Sequence, residues 1–424
     1  MTVVTASCLV AAPAALAMDG PAALLAPSST SVAPSGSVPL QTAATNPPGC
    51  LDGLFCLGGV GAFDPPHAPI LIVGDADFTA ANGVRNPVGC GTSVNPCRIE
   101  DWSISSAPGG TCIHVNSTTK YYLIRNNSCT GGMTGILLVS APNGDVRCNR
   151  ITRLRARDLG AVGISVQLTN NVMITENRLS DMEGTAEFSG SSLDAFGILV
   201  GFGPSNVTIE RNTISHLIAA PGRLGGLTGT GNGDPGGNAA GIVVPPPLLS
   251  NNVTIEDNLI SQLLGGSGGA GAIGRNGGEG GSAFGIFATG DNVSIEGNGI
   301  SLLFAGVGGM GGAGGLGGNG GAAGPGGSAY GIRVEDSVGV SNVSNTIFQL
   351  YGASGGLGGF AGFGGTGGNG GNGGNGIGIS LSNVVGFINS GNIITFFFAG
   401  LGGFGAFPGG TNGTPGLAAA ILST

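Results

Sequence analysis

"NVTIERNTISHL" occupies residues 206–217, and close copies stand at 171–182 ("NVMITENRLSDM"), 252–263 ("NVTIEDNLISQL") and 292–303 ("NVSIEGNGISLL"). All follow N-V-x-I-x-x-N-x-[IL]. The V-x-I step alternates apolar and polar residues, the pattern of a short strand with one face buried. The apolar residue after the second Asn predicts a further strand, with Asn at a bend, where its amide bonds the backbone and tolerates left-handed geometry. Strands this short bury nothing alone and are stable only when copies stack. The expected fold is therefore all-β: a right-handed parallel β-helix, a solenoid with one repeat per coil.

Stacking places Asn127, Asn149, Asn177, Asn212, Asn258 and Asn298 above one another, about 4.8 Å apart, as a side-chain amide ladder. Ile174, Ile209, Ile255 and Ile295 become an interior stack. "YYLIRNNSC" (121–129) and "GDVRCNRI" (144–151) fit the frame less closely, and "VGVSNVSNTI" (338–347) and "VVGFINSGNII" (384–394) fit with two residues inserted. A Gly-Ile marker precedes each copy, at Ile136, Ile164, Ile198, Ile242, Ile286, Ile332 and Ile377, with Cys112-Ile113 in the first slot. The step between markers grows from 23 residues (113 to 136) to 45 (332 to 377). The excess always falls after the N-x-I strand, at one corner of the coil. A cap and first strands are expected over 69–110, and coils over 111–424.

The added residues are glycine-rich arms at 220–240, 265–283, 305–329, 352–375 and 399–416. They keep a strict step of three: Met310, Ala313, Leu316, Asn319, Ala322, Pro325 and Ser328 in one; Leu357, Phe360, Phe363, Thr366, Asn369, Asn372 and Asn375 in the next. A threefold extended helix has this period. With two glycines in every three residues and little proline, the period fits polyglycine-II helices bundled side by side rather than collagen. Early ridge residues are mostly apolar and late ones mostly polar, so the outgoing segment is expected to pack inward and the returning one to face water.

Glycine, at 89 of 424 residues, is about three times its ordinary usage, yet only 9% of residues are charged and 41% are hydrophobic, unlike a disordered chain. A net charge of -9 argues against a nucleic-acid binder. Residues 1–17 end in Ala15-Leu16-Ala17, the cleavage pattern of a secretory signal whose basic start is missing; 18–68 is a Pro/Ser/Ala-rich linker and N-terminal segment. No apolar run is long enough for a transmembrane helix. Close spacing makes Cys50 with Cys56 and Cys90 with Cys97 candidate disulfides of an oxidising compartment. "LAAAILST" (417–424) begins a further coil, leaving an open edge for a neighbouring coil or chain.

"ILIVGDADFTAANGVRNPVGCGTSVNPCRIEDWSI" (70–104) and "CIHVNSTTKYYLIRNNSCTGG" (112–132), with the repeats up to about residue 300, resemble NosD-like, pectin-lyase-like right-handed β-helix surface proteins. The resemblance implies the fold. It leaves activity open, because pectate lyases, polygalacturonases, phage tailspikes and adhesins share this coil. The arms resemble polyglycine-II regions of some phage adhesins and antifreeze proteins, and are not part of the NosD-like pattern.

The polygalacturonase motifs N-T-D, D-D, G-H-G and R-I-K are absent, and His67, His114 and His216 read as surface or bend residues. Six Met and three His, scattered, supply no copper site of the NosD kind. Glu210, Glu256 and Glu296 share one repeat position, with Asp257 beside them, and stacked carboxylates attract Ca2+ or simply form a solvated face. Arg147, Arg150, Arg153, Arg155 and Arg157 fall within eleven positions; they either grip an anionic ligand by bidentate contacts or serve as a charged, self-paired loop. Of the sequons at Asn116, Asn126, Asn206, Asn252, Asn292, Asn342 and Asn412, three, Asn206, Asn252 and Asn292, start the repeat strand and are explained by the fold itself. The expected function is a secreted or cell-surface structural or adhesive module that binds glycan or envelope through a repetitive face, without a cofactor unless Ca2+. The alternative is a polysaccharide lyase or glycoside hydrolase on the same scaffold.

Overall fold

The computed structural model describes residues 64–156, 160–184, 194–225, 231–245 and 251–423. Each coil supplies three strand positions, seen in Ala195–Gly201, Ser205–Glu210 and Thr213–Ile218. The next coil lays Ala239–Val244, Asn251–Glu256 and Leu259–Leu264 on them in parallel, pairing Ile198 with Ile242, Ile209 with Ile255 and Ile214 with Ile260. Among the described residues the first two positions join in an 18-stranded sheet, and the third forms an 11-stranded sheet across the core. This is the parallel β-helix that the repeats predict. Residues 70–106 already form a coil, because Ile70–Val73, Cys97–Glu100 and Ser103–Ser106 pair with the strands that follow.

Ile174, Ile209, Ile255 and Ile295 stack in register with no exposure. Burying such a side chain contributes about 1.5–3 kcal/mol. The glycine of each Gly-Ile marker has a steric cause: a Cβ on Gly197 would lie 2.4 Å from Gly241 O and 2.6 Å from Ile214 Cγ2 of the facing sheet. At one marker the register differs from the sequence reading. Ile332 pairs with Ile379 and not Ile377, since "GIGI" offers two Gly-Ile steps and only the second seats its glycine under Ile394. Ahead of "VGVSNVSNTI" the register shifts by one residue between Thr289 and Gly290, which puts Asn342, fully buried, where Ile295 stands one coil earlier.

The bends are also periodic. Asn171, Asn206, Asn252 and Asn292, which open the repeats, have φ of 55° to 58°. At the second bend the left-handed residue is the one before the ladder Asn: Asn126, Cys148, Glu176, Arg211 and Asp257, with φ of 51° to 58°. A third such column, which the repeat pattern does not reveal, crosses the 11-stranded sheet at Arg153, Asp181, His216, Gln262, Leu302, Gln349 and Phe396.

Disulfides join Cys90 to Cys97 and Cys112 to Cys129, and Cys148 is also disulfide-bonded. The second pair escapes a reading based on close spacing, because it links the strand Thr111–Asn116 of the larger sheet to Ser128–Gly131 of the smaller one within a single coil. The Cys50–Cys56 pairing, the signal and most of the linker lie outside the described residues.

The arms form two hydrogen-bonded layers. Outgoing segments bond side by side: Gly268 N donates to Val307 O (2.8 Å), Gly308 N to Ser354 O (3.0 Å) and Gly355 N to Leu401 O (2.9 Å). Returning segments do the same, Gly280 N to Pro325 O (2.9 Å) and Gly326 N to Asn372 O (2.8 Å). Glycine-to-glycine bonds cross between layers, as in Gly321 N to Gly312 O (2.8 Å) and Gly359 N to Gly321 O (2.9 Å). A Cβ on Gly312 would stand 1.6 Å from Ala272 O. Most off-ridge residues therefore lack one, alanine standing there at Ala272, Ala323, Ala361 and Ala406, while the ridge residue points outward. Each of the last four arms turns on a left-handed glycine: Gly274, Gly317, Gly364 or Gly409.

The outgoing ridge does not pack inward. Leu316 is 100% exposed, Phe360 70%, Phe363 91%, Phe404 70% and Phe407 87%. The inner side of that layer is filled by returning backbone, which leaves its side chains only the outer face.

Candidate functional site

Four groups of side chains compete for a functional role. The amide ladder is the most regular. Asn177 N and Nδ2 both donate to Asn212 Oδ1 at 3.0 Å, and Asn212 Nδ2 donates to Ile174 O at 2.8 Å and to Asn258 Oδ1 at 3.0 Å. The same bonds link Asn127, Asn149, Asn258 and Asn298, and run on through Asn345 and Asn392. Its members from Asn127 to Asn345 are buried, so its role is to satisfy the corner backbone.

Glu210, Glu256 and Glu296 stack in register, following Glu100, Arg125, Arg147 and Thr175 in the same column. The Glu210 carboxylate is paired with the Arg211 guanidinium, whose Nε also donates to Glu176 Oε1 at 3.3 Å. Asp257 sits at the left-handed bend. Among the described residues no group of three or more His, Cys, Asp or Glu is arranged to hold a metal ion.

The arginine run is spread around the coil. Arg147 lies on the larger sheet, 3.6 Å from Asp145; Arg150 begins the strand of the other sheet, in register with Arg178; Arg153 holds the left-handed bend; Arg155 is 3.4 Å from Glu183. Arg157 lies outside the described residues. What Arg147 does join is Arg125 of the preceding coil, its register partner.

These two line a shallow groove of about 250 Å3 with Asn126, Cys148 and Glu176. Asp145, 3.6 Å from Arg147, has an Oδ1 that is buried without a hydrogen-bond partner. Burial pushes the Asp145 carboxyl up, against the pull of Arg147 and Arg125. Glu100 accepts from Arg125 Nε at 2.6 Å. Of the histidines, His67 packs on Trp102 (4.6 Å between centroids), His216 is an exposed bend residue, and burial lowers the pKa of His114, whose Nε2 has no partner.

The arms supply the fourth group. On the returning layer Thr366 N donates to Asn319 Oδ1 (2.9 Å), Thr411 N to Asn369 Oδ1 (3.0 Å) and Thr414 N to Asn372 Oδ1 (2.9 Å). All six side chains are exposed. The outer face of the other layer is apolar.

A family profile described as "Right handed beta helix region" matches residues 87–395. The chain belongs to the right-handed β-helix family. No curated protein matches the sequence of this β-helix. Among solved structures it is similar to the Azotobacter vinelandii mannuronan C-5 epimerase AlgE6 A-module, at 10% identity over 85% of this chain and 90% of that one, with a TM-score of 0.28. It is also similar to an alginate lyase from Paenibacillus sp. str. FPU-7, at 12% identity over 77% and 98%, with a TM-score of 0.20.

One structural column of the β-helix is missing from the sequence reading. Where each arm re-enters the coil, Asn238 N donates to Asp194 Oδ1 (2.6 Å), Ser282 N to Asn238 Oδ1 (2.8 Å), Ser328 N to Ser282 Oγ (3.2 Å) and Asn375 N to Ser328 Oγ (2.9 Å). Its signal is present, an Asp, Asn or Ser three residues before the Gly-Ile pairs that start at Gly197, Gly241, Gly285, Gly331 and Gly378. Asp145, beside Arg147, carries no comparable mark.

Proposed function

We propose that this chain is a secreted or cell-surface structural and adhesive β-helix whose arms form a polyglycine-II slab, with the polar layer of that slab as its binding face for glycan or cell envelope. The observation that carries the reading is the grid of exposed Asn and Thr side chains on the returning segments, each Asn Oδ1 held by the backbone N–H of the next arm. Fixing the oxygen orients the amide, so the array meets a ligand preorganised. Affinity then comes from repetition of weak contacts on one rigid body. Two disulfides support an oxidising location, and no helix among the described residues is long and apolar enough to cross a membrane.

Cosedimentation of the full chain with insoluble peptidoglycan tests this reading. We expect retention, weakened roughly 10- to 100-fold by combining Asn369→Val, Asn372→Val and Thr414→Val, at about 1 kcal/mol or less per lost hydrogen bond. A chain that stays in the supernatant overturns it. Asp145 beside Arg125 and Arg147 favours a second reading, a polysaccharide-active enzyme, because a carboxyl raised by burial is suited to proton transfer next to an anionic sugar. Uronic-acid polymers incubated with calcium and monitored for unsaturated products decide it. Turnover abolished by Asp145→Asn would replace the adhesive reading.

A further inference from the structure

The outgoing layer of the arms presents an apolar face that the adhesive reading does not use. Its rows run across the arms: hydrogen bonds from Gly311 to Leu357 and from Gly358 to Phe404 align Met310, Leu357 and Phe404, and the bond from Gly314 to Phe360 aligns Ala313 with Phe360. At the foot of the arms the row continues as a ring stack, Phe304 on Tyr351 at 4.9 Å and Tyr351 on Phe398 at 5.3 Å. Phe360, Phe363, Phe404 and Phe407 are 70%, 91%, 70% and 87% exposed. At about 200 Å2 per ring, these four alone leave roughly 600 Å2 of apolar surface in water, more than the few hundred Å2 a soluble monomer ordinarily shows. Adding the leucine and methionine side chains brings the face to about the 800 Å2 that one partner contributes to a standard stable interface.

We propose that this face pairs with the same face of a second copy of the chain, giving a two-fold dimer through the arms. The chemistry of the face selects its occupant. Residues 304–316, 351–363 and 398–407 contain no charged side chain, and the carbonyls of Val307, Met310, Leu357, Phe360 and Phe404 already accept bonds from neighbouring arms. A sugar ring would find almost nothing to bond its hydroxyls. Anionic lipid would meet a chain of net charge -9 with no basic residue on the face. A second copy offers what the face needs, which is apolar surface of the same period. Rows on one arm recur every three residues, about 9 Å at the rise of a threefold helix, with glycine valleys between. Interleaving two such combs sets neighbouring rows about 4.7 Å apart, the contact distance of packed rings. An isologous pair closes on itself and so buries both faces without forming a fibre. The spacing rests on the polyglycine-II reading; the exposure does not.

The test is the solution mass of the full chain with its amide exchange measured in parallel. At about 50 µM, a concentration that populates any interface of micromolar affinity, we expect twice the 41.0 kDa chain mass. Phe360→Asp combined with Phe404→Asp should raise the dissociation constant by roughly 100-fold or more and leave the unfolding midpoint equal to that of the wild-type chain diluted to the monomer. Asn369→Asp with Asn372→Asp, on the opposite layer, should leave the dimer intact. A wild-type chain at 41.0 kDa with protected arm amides overturns the pairing and leaves the polyglycine-II reading standing. Unprotected arm amides remove both. A monomer that floats with neutral phosphatidylcholine vesicles overturns the pairing in favour of a lipid surface.

Discussion

Asn212 shows how much a single side chain does in this solenoid. Its Oδ1 receives two donors from Asn177, and its Nδ2 serves Ile174 O, Glu210 O and Asn258 Oδ1. Asn212→Ala would strand several of these groups inside a dry corner, where each unsatisfied polar atom costs about 1–3 kcal/mol. We expect about 3 kcal/mol of lost stability, read as a shift of the denaturant midpoint. Asn206, six residues earlier, belongs to an exposed ladder in which Asn252 Nδ2 donates to Asn206 Oδ1 at 3.2 Å. Water replaces that bond, so Asn206→Ala should cost less than a third as much. The two Asn columns look alike in the repeat, and burial separates them.

The arms are elements made by subtraction of side chains. Wherever a Cβ would strike a neighbour, the residue is glycine; wherever the helix faces outward, a side chain returns. Gly312 and Gly317 make the contrast testable. A Cβ on Gly312 would stand 1.6 Å from Ala272 O, while Gly317, at φ 71° on the arm tip, has open space around it. Gly312→Ala should force neighbouring arms apart and raise amide exchange across 305–329 by roughly tenfold or more, since opening free energies scale with lost local bonds. Gly317→Ala should cost only the left-handed strain, about 1–2 kcal/mol, with exchange raised at the tip alone. Equal effects at both positions would show that the arms are not packed layers. The three-residue step was legible because packing acts at every turn. The direction of the apolar ridge was not, because the step gives the angle between side chains and not which side the partner layer occupies.

At the scale of the molecule, each coil touches only its neighbours, so stability is local and nearly additive along the axis. The described disulfides, Cys90–Cys97 and Cys112–Cys129, lie in the first coils. Reducing them should speed amide exchange over 90–131, a loss of about 3 kcal/mol for a loop of this length, and leave 290–400 unchanged. A uniform rise along the chain would mean that the solenoid unfolds as one unit. The sequence by itself determined the coil, its three-residue arms and the ladder from Asn127 to Asn298, because each is a periodic constraint written into every repeat. Only the tertiary structure decided the rest. Arg147 meets Arg125 and Ile379 takes the place offered equally to Ile377 through the register of one coil on the next, while Cys129 meets Cys112 between the two sheets of a single coil. Stacking turns separations of 22 to 47 residues into contacts across a single strand spacing, and the length of each coil, which sets those pairings, is known only once the arm between two repeats has been folded out of the way.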